Sequence, residues 1–254
     1  MKQLGEFCLL ILGSLLAASA MAQGELSADI LQEAQAGQAQ AQYEVALHYD
    51  AVQADYPAAV SWYQRAAEQG HVQAQFNLAQ FYRLGEGVEQ NSELALSWLL
   101  QAAEVGNDPQ AQFMLGDIYR YGEGVVANRF EAFRWYILAA EQTLPEAEYI
   151  IGLWLAEGIG APEDDAAALR WLRKAAAQGH AGGMFALAGM YENAQGIAPD
   201  LALAYYWYAL AAQGDYPQAG AELDRLAGLL DAQTLQLQQQ RVADCINTGF
   251  QACE

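Results

Sequence analysis

The most constraining feature of the chain is a tryptophan that recurs at an almost constant interval. Successive members of the series lie 36, 37, 36 and 36 residues apart: Trp62, Trp98, Trp135, Trp171 and Trp207. A period of this length is typical of one small structural unit that is copied along the chain. Because a single unit cannot bury its own apolar face, neighbouring units must stack on one another. The sequence therefore predicts a repeat fold and favours binding over catalysis.

One unit, taken from residues 71–106, predicts two helices joined by a glycine loop. Apolar or small residues at positions 74, 78, 79 and 82 form the stripe of an amphipathic helix, called helix A. Gly85 and Gly87 then end this helix, because glycine adopts backbone angles that other residues avoid. Asn91 is the expected N-cap of a second helix, helix B, over residues 92–104. The repeated unit is therefore a helix–turn–helix pair.

The same features recur in the other copies. Small residues at the position of Ala79 are expected to let helix A approach helix B closely: Ala46, Ala79, Gly116, Gly152 and Ala188. Paired glycines follow at Gly85/Gly87, Gly122/Gly124 and Gly158/Gly160. In the fifth copy Ala194 replaces the first glycine, and the first copy lacks the glycine loop.

These residues resemble the Sel-1-like repeat, a relative of the tetratricopeptide repeat. Residues 111–142 carry the pattern most completely: Ala111, Leu115, Gly116, Tyr119, Gly122, Gly124, Val125, Asn128, Ala132, Trp135, Tyr136, Ala139 and Ala140. The resemblance implies an all-α fold, an α/α superhelical solenoid, and the two-helix period independently agrees. Residues 23–213 are expected to hold five repeats, at about residues 34–68, 71–106, 108–143, 144–179 and 180–214.

The C-terminal residues 214–254 depart from the pattern and are expected to cap the stack. Residues 217–230 predict a sixth helix A, with Ala219, Leu223 and Leu226 facing the stack, and residues 232–243 predict a glutamine-rich helix. Cys245 and Cys253 are the only cysteines after residue 22. In an exported protein such a pair is most simply a disulfide, which would hold a C-terminal hairpin closed.

The first 22 residues predict a signal peptide. Lys2 provides a short positive region, residues 7–16 are apolar, and residues 20–22 have the small-x-small pattern that signal peptidase accepts. The apolar run is too short to span a membrane, so no span is expected after cleavage. We therefore expect an exported protein, periplasmic or secreted, that starts near Gln23; an uncleaved anchor is the alternative.

The net charge of −20, with only 11 lysines and arginines, bounds the choice of partners. Such an acidic chain argues against nucleic acid and anionic lipid as ligands. It permits a basic protein or peptide as partner, although the charge also serves solubility alone.

No catalytic set emerges from the chain after residue 22. Its four serines lie in neither G-x-S-x-G nor S-x-x-K patterns: Ser27, Ser61, Ser92 and Ser97. Histidine occurs only at His48, His71 and His180, and the last two share one repeat position, which favours a helix-start role. We therefore predict that the chain is not an enzyme and has no metal site or cofactor. Some cysteine-rich members of the Sel-1-like group are linked to β-lactam hydrolysis, but their cysteine pair within each repeat is missing here.

A binding face is predicted on helices A, which line the concave side of such a solenoid. Positions 77, 80 and 81, numbered as in the second copy, are expected to face the groove and to vary between copies. The candidate residues are Asn77, Gln80, Phe81, Met114, Asp117, Ile118, Ile150, Leu153, Trp154 and Met190. Six of them would form one exposed apolar strip with Trp154 as the anchor: Met114, Ile118, Ile150, Leu153, Trp154 and Met190. The alternative is that position 81 packs against helix B and is buried.

These observations predict an exported scaffold that binds a protein or peptide in the cell envelope. The resemblance implies roles in envelope complex assembly, polysaccharide export, motility or host interaction. Two other functions remain open. One is a hydrolase acting on cell-wall or β-lactam-like substrates, and the other is a glycan-binding module that uses Trp154 and Phe81 as stacking platforms.

Overall fold

The computed structural model describes residues 26–248 and residue 253, and these residues form α-helices without any strand. The helices are α1 (Ala28–Gln35), α2 (Ala39–Ala51), α3 (Tyr56–Glu68), α4 (Val72–Leu84), α5 (Ser92–Leu100), α6 (Pro109–Tyr121), α7 (Arg129–Glu141), α8 (Pro145–Glu157), α9 (Asp165–Ala177), α10 (Ala181–Asn193), α11 (Leu201–Gln213), α12 (Ala219–Ala227) and α13 (Ala232–Asn247). A π-helical turn, Gln101–Val105, continues α5. The predicted all-α class is confirmed, whereas the predicted signal peptide lies outside the described residues.

The helices alternate as the repeat pattern predicts. Helices A are α2, α4, α6, α8 and α10, and each is followed by its helix B, α3, α5, α7, α9 and α11. Helix α1 was not predicted; Ser27 caps it by accepting the Ile30 N–H at 3.3 Å, and it buries Ala34 beside Ala41 and Val45. The chain divides into two compact units, one up to Ala111 and one from Gln112, which we describe separately.

Each unit has an apolar core between its helices A and B. In the first unit the largest fully buried side chains are Tyr63, Leu78 and Leu99. In the second unit they include Tyr136, Ile151, Leu172, Leu187 and Leu210. Removing one such aromatic or aliphatic side chain from water contributes roughly 1.5–3 kcal/mol, so these cores hold the helix pairs together.

Two glycines of the second unit confirm that small residues let helix A approach helix B. A Cβ atom on Gly116 would lie 2.5 Å from Cδ1 of Tyr136, and one on Gly152 would lie 2.6 Å from Cγ of Leu172. Both distances are far below van der Waals contact, so the helix pair can pack this closely only around glycine.

The glycine loops both end helix A and pack on the preceding copy. Gly85 ends α4 in the left-handed region at φ 73°, and its N–H bonds to the Phe81 carbonyl. A Cβ on Gly87 would lie 2.4 Å from the backbone carbon of Tyr56, at the start of the preceding helix B. The second glycine is therefore required by contact as well as by backbone angle.

The π-helical turn accounts for the one tryptophan interval of 37 residues. The second copy has one residue more than the others between Ala103 and the N-cap of the next helix, Asp108. The turn Gln101–Val105 absorbs this residue within the helix, and the left-handed connection then falls on Asn107 at φ 52° rather than on Gly106. The insertion thus leaves the start of the third copy in register.

The C-terminal segment forms two helices and a disulfide. Helix α12 is shorter than the predicted span 217–230, whereas α13 extends beyond the predicted residue 243 to Asn247. The predicted disulfide Cys245–Cys253 is present, with its Cα atoms 5.0 Å apart. Within the described ranges, no helix has the length and apolar character needed to cross a bilayer.

Candidate functional site

The residues at position 81 are buried, so the predicted exposed apolar strip is wrong for them. Phe81, Ile118, Trp154 and Met190 expose 6, 4, 5 and 2% of their surface. At Phe81 and Trp154 the reason is that the side chain packs on helix B of the preceding copy. The Phe81 ring lies 5.7 Å from that of Tyr63, and the Trp154 ring lies edge-on at 5.3 Å from that of Tyr136.

This burial also changes two of the functional hypotheses. Trp154 is a core residue and does not serve as the exposed anchor of a partner. Neither Trp154 nor Phe81 offers an open ring face, so they do not provide the stacking platforms that the glycan-binding hypothesis required.

The residues at positions 77 and 80 remain half-exposed, and we call them the helix-A rows. In the first unit the rows contain Asn77 and Gln80, and in the second unit they contain Met114, Asp117, Ile150 and Leu153. The flanking positions 78, 79 and 81 are buried. Each helix A therefore presents a narrow edge, and the chemistry of that edge differs between copies.

In the first unit the helix-A row borders a shallow pocket of about 180 Å³. Asn77, Gln80 and Phe81 line it together with Asp50, Leu84 and Glu86. The Asp50 carboxylate accepts the hydroxyl of Tyr63 at 3.1 Å, and Arg83 Nε donates to Gln80 Oε1 at 3.0 Å. Two carboxylates and two amides make this pocket suited to a hydrogen-bond donor that carries positive charge.

In the second unit the row is mainly apolar around one carboxylate. Asp117 Oδ1 accepts the buried hydroxyl of Tyr136 at 2.6 Å. Burial and then the bond to Asp117 raise the pKa of Tyr136, so this hydroxyl stays protonated and donates. Met114, Ile150 and Leu153 are the apolar members of this half-exposed row. The arrangement suits an apolar segment with a single polar contact.

A recurring hydrogen bond from a tyrosine hydroxyl on helix B to a carboxylate on helix A was not predicted from the sequence. It joins Tyr63 to Asp50, Tyr136 to Asp117 and Tyr208 to Glu192, the last at 3.3 Å. Its signal is a tyrosine directly after the periodic tryptophan in the first, third and fifth copies, where the second and fourth copies have Leu99 and Leu172.

The predicted helix-start role of His71 and His180 is confirmed. Nδ1 of His71 accepts the Ala74 N–H at 3.2 Å, and Nδ1 of His180 accepts the Gly183 N–H at 3.0 Å. Each ring also packs on an aromatic residue of the preceding helix A, at 4.4 Å from Tyr43 and 4.8 Å from Tyr149. Burial lowers the pKa of both histidines, which keeps Nδ1 free to accept.

The remaining titratable groups do not converge on one point. Within residues 26–248 and 253, no three histidine, cysteine or acidic side chains are grouped so that they could hold a metal ion. His48 is buried, and its Nε2 lies 2.9 Å from Nε2 of Gln53.

Comparison with known proteins agrees with this architecture. The model of the Sel1 repeat matches residues 39–71, 72–107, 109–144, 145–180 and 181–216. A protective antigen of uropathogenic Escherichia coli with the SLR fold is 30% identical over 88% of this chain, with a TM-score of 0.75, and this chain covers 49% of it. A Sel1 repeat protein from Oxalobacter formigenes is 31% identical, with a TM-score of 0.69 and coverage of 83% of this chain and 89% of that one.

A more distant similarity links the chain to a eukaryotic regulator. Chitin synthase regulatory factor 3 of Schizosaccharomyces pombe is 37% identical over 90 residues, which are 34% of this chain and 10% of that protein. The chain thus spans about half of the E. coli antigen and a tenth of the yeast factor. With five matched repeats and the same fold as two solved relatives, the chain belongs to the Sel1 repeat family.

Proposed function

We propose that this chain is an exported scaffold that binds a protein or peptide through the helix-A rows. Sel1 repeats are typically scaffolds for protein–protein interaction, and the family is generally non-enzymatic. The observation that carries the proposal is the contrast along helix A. Positions 77 and 80 stay half-exposed and vary in chemistry, whereas their neighbours at 78, 79 and 81 are buried.

The two units offer different chemistry to such a partner. The pocket beside Asn77 and Gln80 contains Asp50 and Glu86, which favour a lysine or arginine side chain. The row through Met114, Ile150 and Leu153 favours an apolar side chain. The overall charge of −20 adds a long-range preference for a basic partner.

Export is supported by the sequence pattern of residues 1–22 and by the Cys245–Cys253 disulfide. Disulfides persist in oxidising compartments such as the periplasm and the extracellular medium. The proposal therefore places the partner in the cell envelope or outside it.

Site-specific photocrosslinking tests the binding face. A photoreactive amino acid is placed at Gln80 or Leu153 in the rows, and at exposed Gln64 or Glu141 on helices B as matched controls. We expect a protein adduct, identified by mass spectrometry, from the row positions only. Equal labelling from the control positions would contradict the assignment of the face.

A second assay separates binding from catalysis. Purified protein is incubated with nitrocefin and with peptidoglycan, and we expect no turnover of either substrate. Turnover that scales with protein concentration would favour the hydrolase alternative over the scaffold.

A further inference from the structure

A basic surface lies on α9, a helix B of the second unit, in a chain whose net charge is −20. Three of the 11 lysines and arginines fall on this helix, and we call them the α9 cations: Arg170, Arg173 and Lys174. All three are exposed. Their spacing of three and four residues places them on one face of the helix. This face is therefore opposite in charge to the chain as a whole.

The repeat does not require these three charges. The residues at the same positions are Ser61, Gln64 and Arg65 in the first copy, Ser97, Leu100 and Gln101 in the second, Arg134, Ile137 and Leu138 in the third, and Tyr206, Ala209 and Leu210 in the fifth. No other copy has a cation at more than one of the three positions. Since the other copies form the same helix without this combination, the fold does not explain it.

Neutral aromatic residues hold two of the α9 cations. Arg173 Nη2 donates to the Tyr191 hydroxyl at 2.6 Å, and Lys174 Nζ lies 3.9 Å from the centre of the Trp171 ring. These contacts restrict the side chains and leave their positive charge in place. Among the described residues, no carboxylate forms an ion pair with an α9 cation.

The carboxylate that senses Lys174 does not neutralise it. Burial raises the pKa of Glu148, and the charge of Lys174 offsets part of this rise. Glu148 nevertheless exposes only 1% of its surface, and its carboxylate accepts a hydrogen bond from Gln178. The exposed charge on α9 therefore has no acidic partner within the described part of the chain.

The matching face of the next helix B, α11, is covered by a helix. Its residues at the three positions are Tyr206, Ala209 and Leu210, which expose 1, 7 and 0% of their surface. Helix α13 packs there, with Arg241 at 4.7 Å from the centre of the Tyr206 ring. Arg173 and Arg241 line one pocket of about 350 Å³, so the basic face of α9 adjoins this helix. The uncovered face on α9 thus continues a surface that already accepts a helix.

We propose that the exposed face of α9 binds an acidic segment of a protein partner, whose aspartate or glutamate side chains pair with the α9 cations. Two of the three cations are arginines, whose planar forks match the two oxygens of a carboxylate. The cations span four residues, about 6 Å along the helix, so carboxylates on one turn of a partner helix would reach them. This site lies on helix B and is separate from the helix-A rows.

Acidic residues at the start of α9 restrict the partner to a short segment. Asp164 and Asp165 precede Arg170 by about 8–9 Å along the helix, which is close to the screening length at physiological salt. An anionic membrane or a nucleic acid would place negative charge over both groups at once and would be repelled by the aspartates. A short acidic segment contacts the cations alone.

NMR titration of the ¹⁵N-labelled full chain with acetylated hexaglutamate at low salt tests the proposal. We expect saturable amide shifts centred on α9. Replacing all three cations, in Arg170→Gln/Arg173→Gln/Lys174→Gln, should weaken binding roughly 10-fold, because each exposed ion pair contributes a factor of about 1.5–5. The control Arg65→Gln/Arg129→Gln/Arg134→Gln removes as many charges from exposed positions on other helices B and should retain the wild-type affinity.

A second variant covers the case in which loss of the bond between Arg173 and Tyr191 perturbs the fold. Arg170→Gln/Lys174→Gln keeps that bond and should still weaken hexaglutamate binding relative to the wild type. Co-sedimentation with phosphatidylglycerol vesicles distinguishes a lipid surface from a protein segment, and we expect none. Absence of hexaglutamate binding to the wild type, equal binding to the α9 variants and the control, or vesicle binding that requires the α9 cations would overturn the proposal.

Discussion

Gly116 on helix A lies directly against the ring of Tyr136 on helix B, so that a Cβ atom on Gly116 would come within 2.5 Å of both Cδ1 and Cε1. The same ring carries the hydroxyl that bonds to Asp117 at 2.6 Å. A single glycine thus places the buried tyrosine and, through it, one carboxylate of the helix-A row. The packing of the scaffold and the geometry of the candidate face are therefore linked at this residue.

Gly116→Ala is expected to destabilise the protein by about 1–2 kcal/mol. Overpacking against Tyr136 costs about 1–3 kcal/mol, whereas alanine in a helix interior recovers roughly 0.5–1 kcal/mol relative to glycine. Chemical denaturation of the full chain, followed by tyrosine and tryptophan fluorescence, measures the difference in the free energy of unfolding between the variant and the wild type.

Gly189→Ala is the matched control, because it also lies within a helix A of the second unit. A Cβ there meets only the Tyr208 hydroxyl at 3.8 Å, which is ordinary contact. We expect this variant to be neutral or slightly stabilised. Equal effects of the two substitutions would show that close packing at Gly116 does not limit the helix pair.

Glu148→Gln is expected to stabilise the protein at neutral pH. Glu148 exposes 1% of its surface and accepts from Gln178 Nε2 at 2.7 Å, and the first three copies have glutamine at this position. In the second copy that glutamine, Gln75, also donates to the Ala67 carbonyl at 3.1 Å, which an ionised Glu148 cannot do toward Ala140. The substitution restores this donor and removes a buried charge.

The pH dependence of this gain has a definite sign. Burial raises the pKa of Glu148 above its ordinary 4.5, so the folded state binds more protons than the unfolded state above that pH. The contribution of Glu148 to stability therefore falls as the pH rises from 4.5, and the advantage of Glu148→Gln grows in the same direction. Melting temperatures at pH 4.5 and 7 measure this, with exposed Glu157→Gln on the same helix as the control.

His180→Asn is expected to reduce the loss of stability on acidification. Burial lowers the pKa of His180 below its ordinary 6.5, so the unfolded state binds more protons and stability is lost as the pH falls below 6.5. Asparagine caps a helix equally well and does not titrate. The drop in melting temperature between pH 7 and pH 5 should be smaller in the variant; an unchanged drop would exclude His180 as a contributor.

The periodic residues predicted the fold well because the repeat imposes the same local requirement in each copy. The paired glycines and the N-cap residues Asn91 and His71 each mark the end or the start of a helix, and the tryptophan interval marks the length of one repeat. These features depend on residues close in the sequence, so they can be predicted without knowledge of the neighbouring copies. The interval of 37 residues did not indicate that the π-helical turn Gln101–Val105 would absorb one additional residue.

The candidate site was predicted less well because burial depends on the neighbouring copy. Position 81 was expected to face a groove, but the extent to which the preceding helix B covers helix A is not encoded in the spacing of residues on one helix. Phe81 and Trp154 are buried by Tyr63 and Tyr136, which lie one copy earlier in the chain. The pocket between Arg173 and Arg241 likewise brings together residues from a repeat and from the cap.

Ala194→Gly is expected to stabilise the protein by about 1 kcal/mol. Ala194 ends α10 in the left-handed region at φ 59°, where the second, third and fourth copies have Gly85, Gly122 and Gly158. An L-residue with a Cβ is strained there by about 1–2 kcal/mol. Gly158→Ala is the reciprocal control, since its Cβ would have room at 3.4 Å and would suffer the backbone strain alone. Opposite shifts of similar size are the expected result of thermal unfolding.

Removal of the disulfide is expected to destabilise α13 and leave the first unit unchanged. Cross-linking Cys245 to Cys253 closes a loop of 8 residues, which stabilises the folded state by roughly 2–3 kcal/mol in the chain-entropy model. Since stability in repeat arrays is set largely by nearest neighbours, the Cys245→Ser/Cys253→Ser variant should show faster amide exchange in α13 and α11 but not in α2 to α4. Wild-type protein under reducing conditions should behave in the same way. Faster exchange throughout both units would instead mean that the capping helix stabilises the whole array cooperatively.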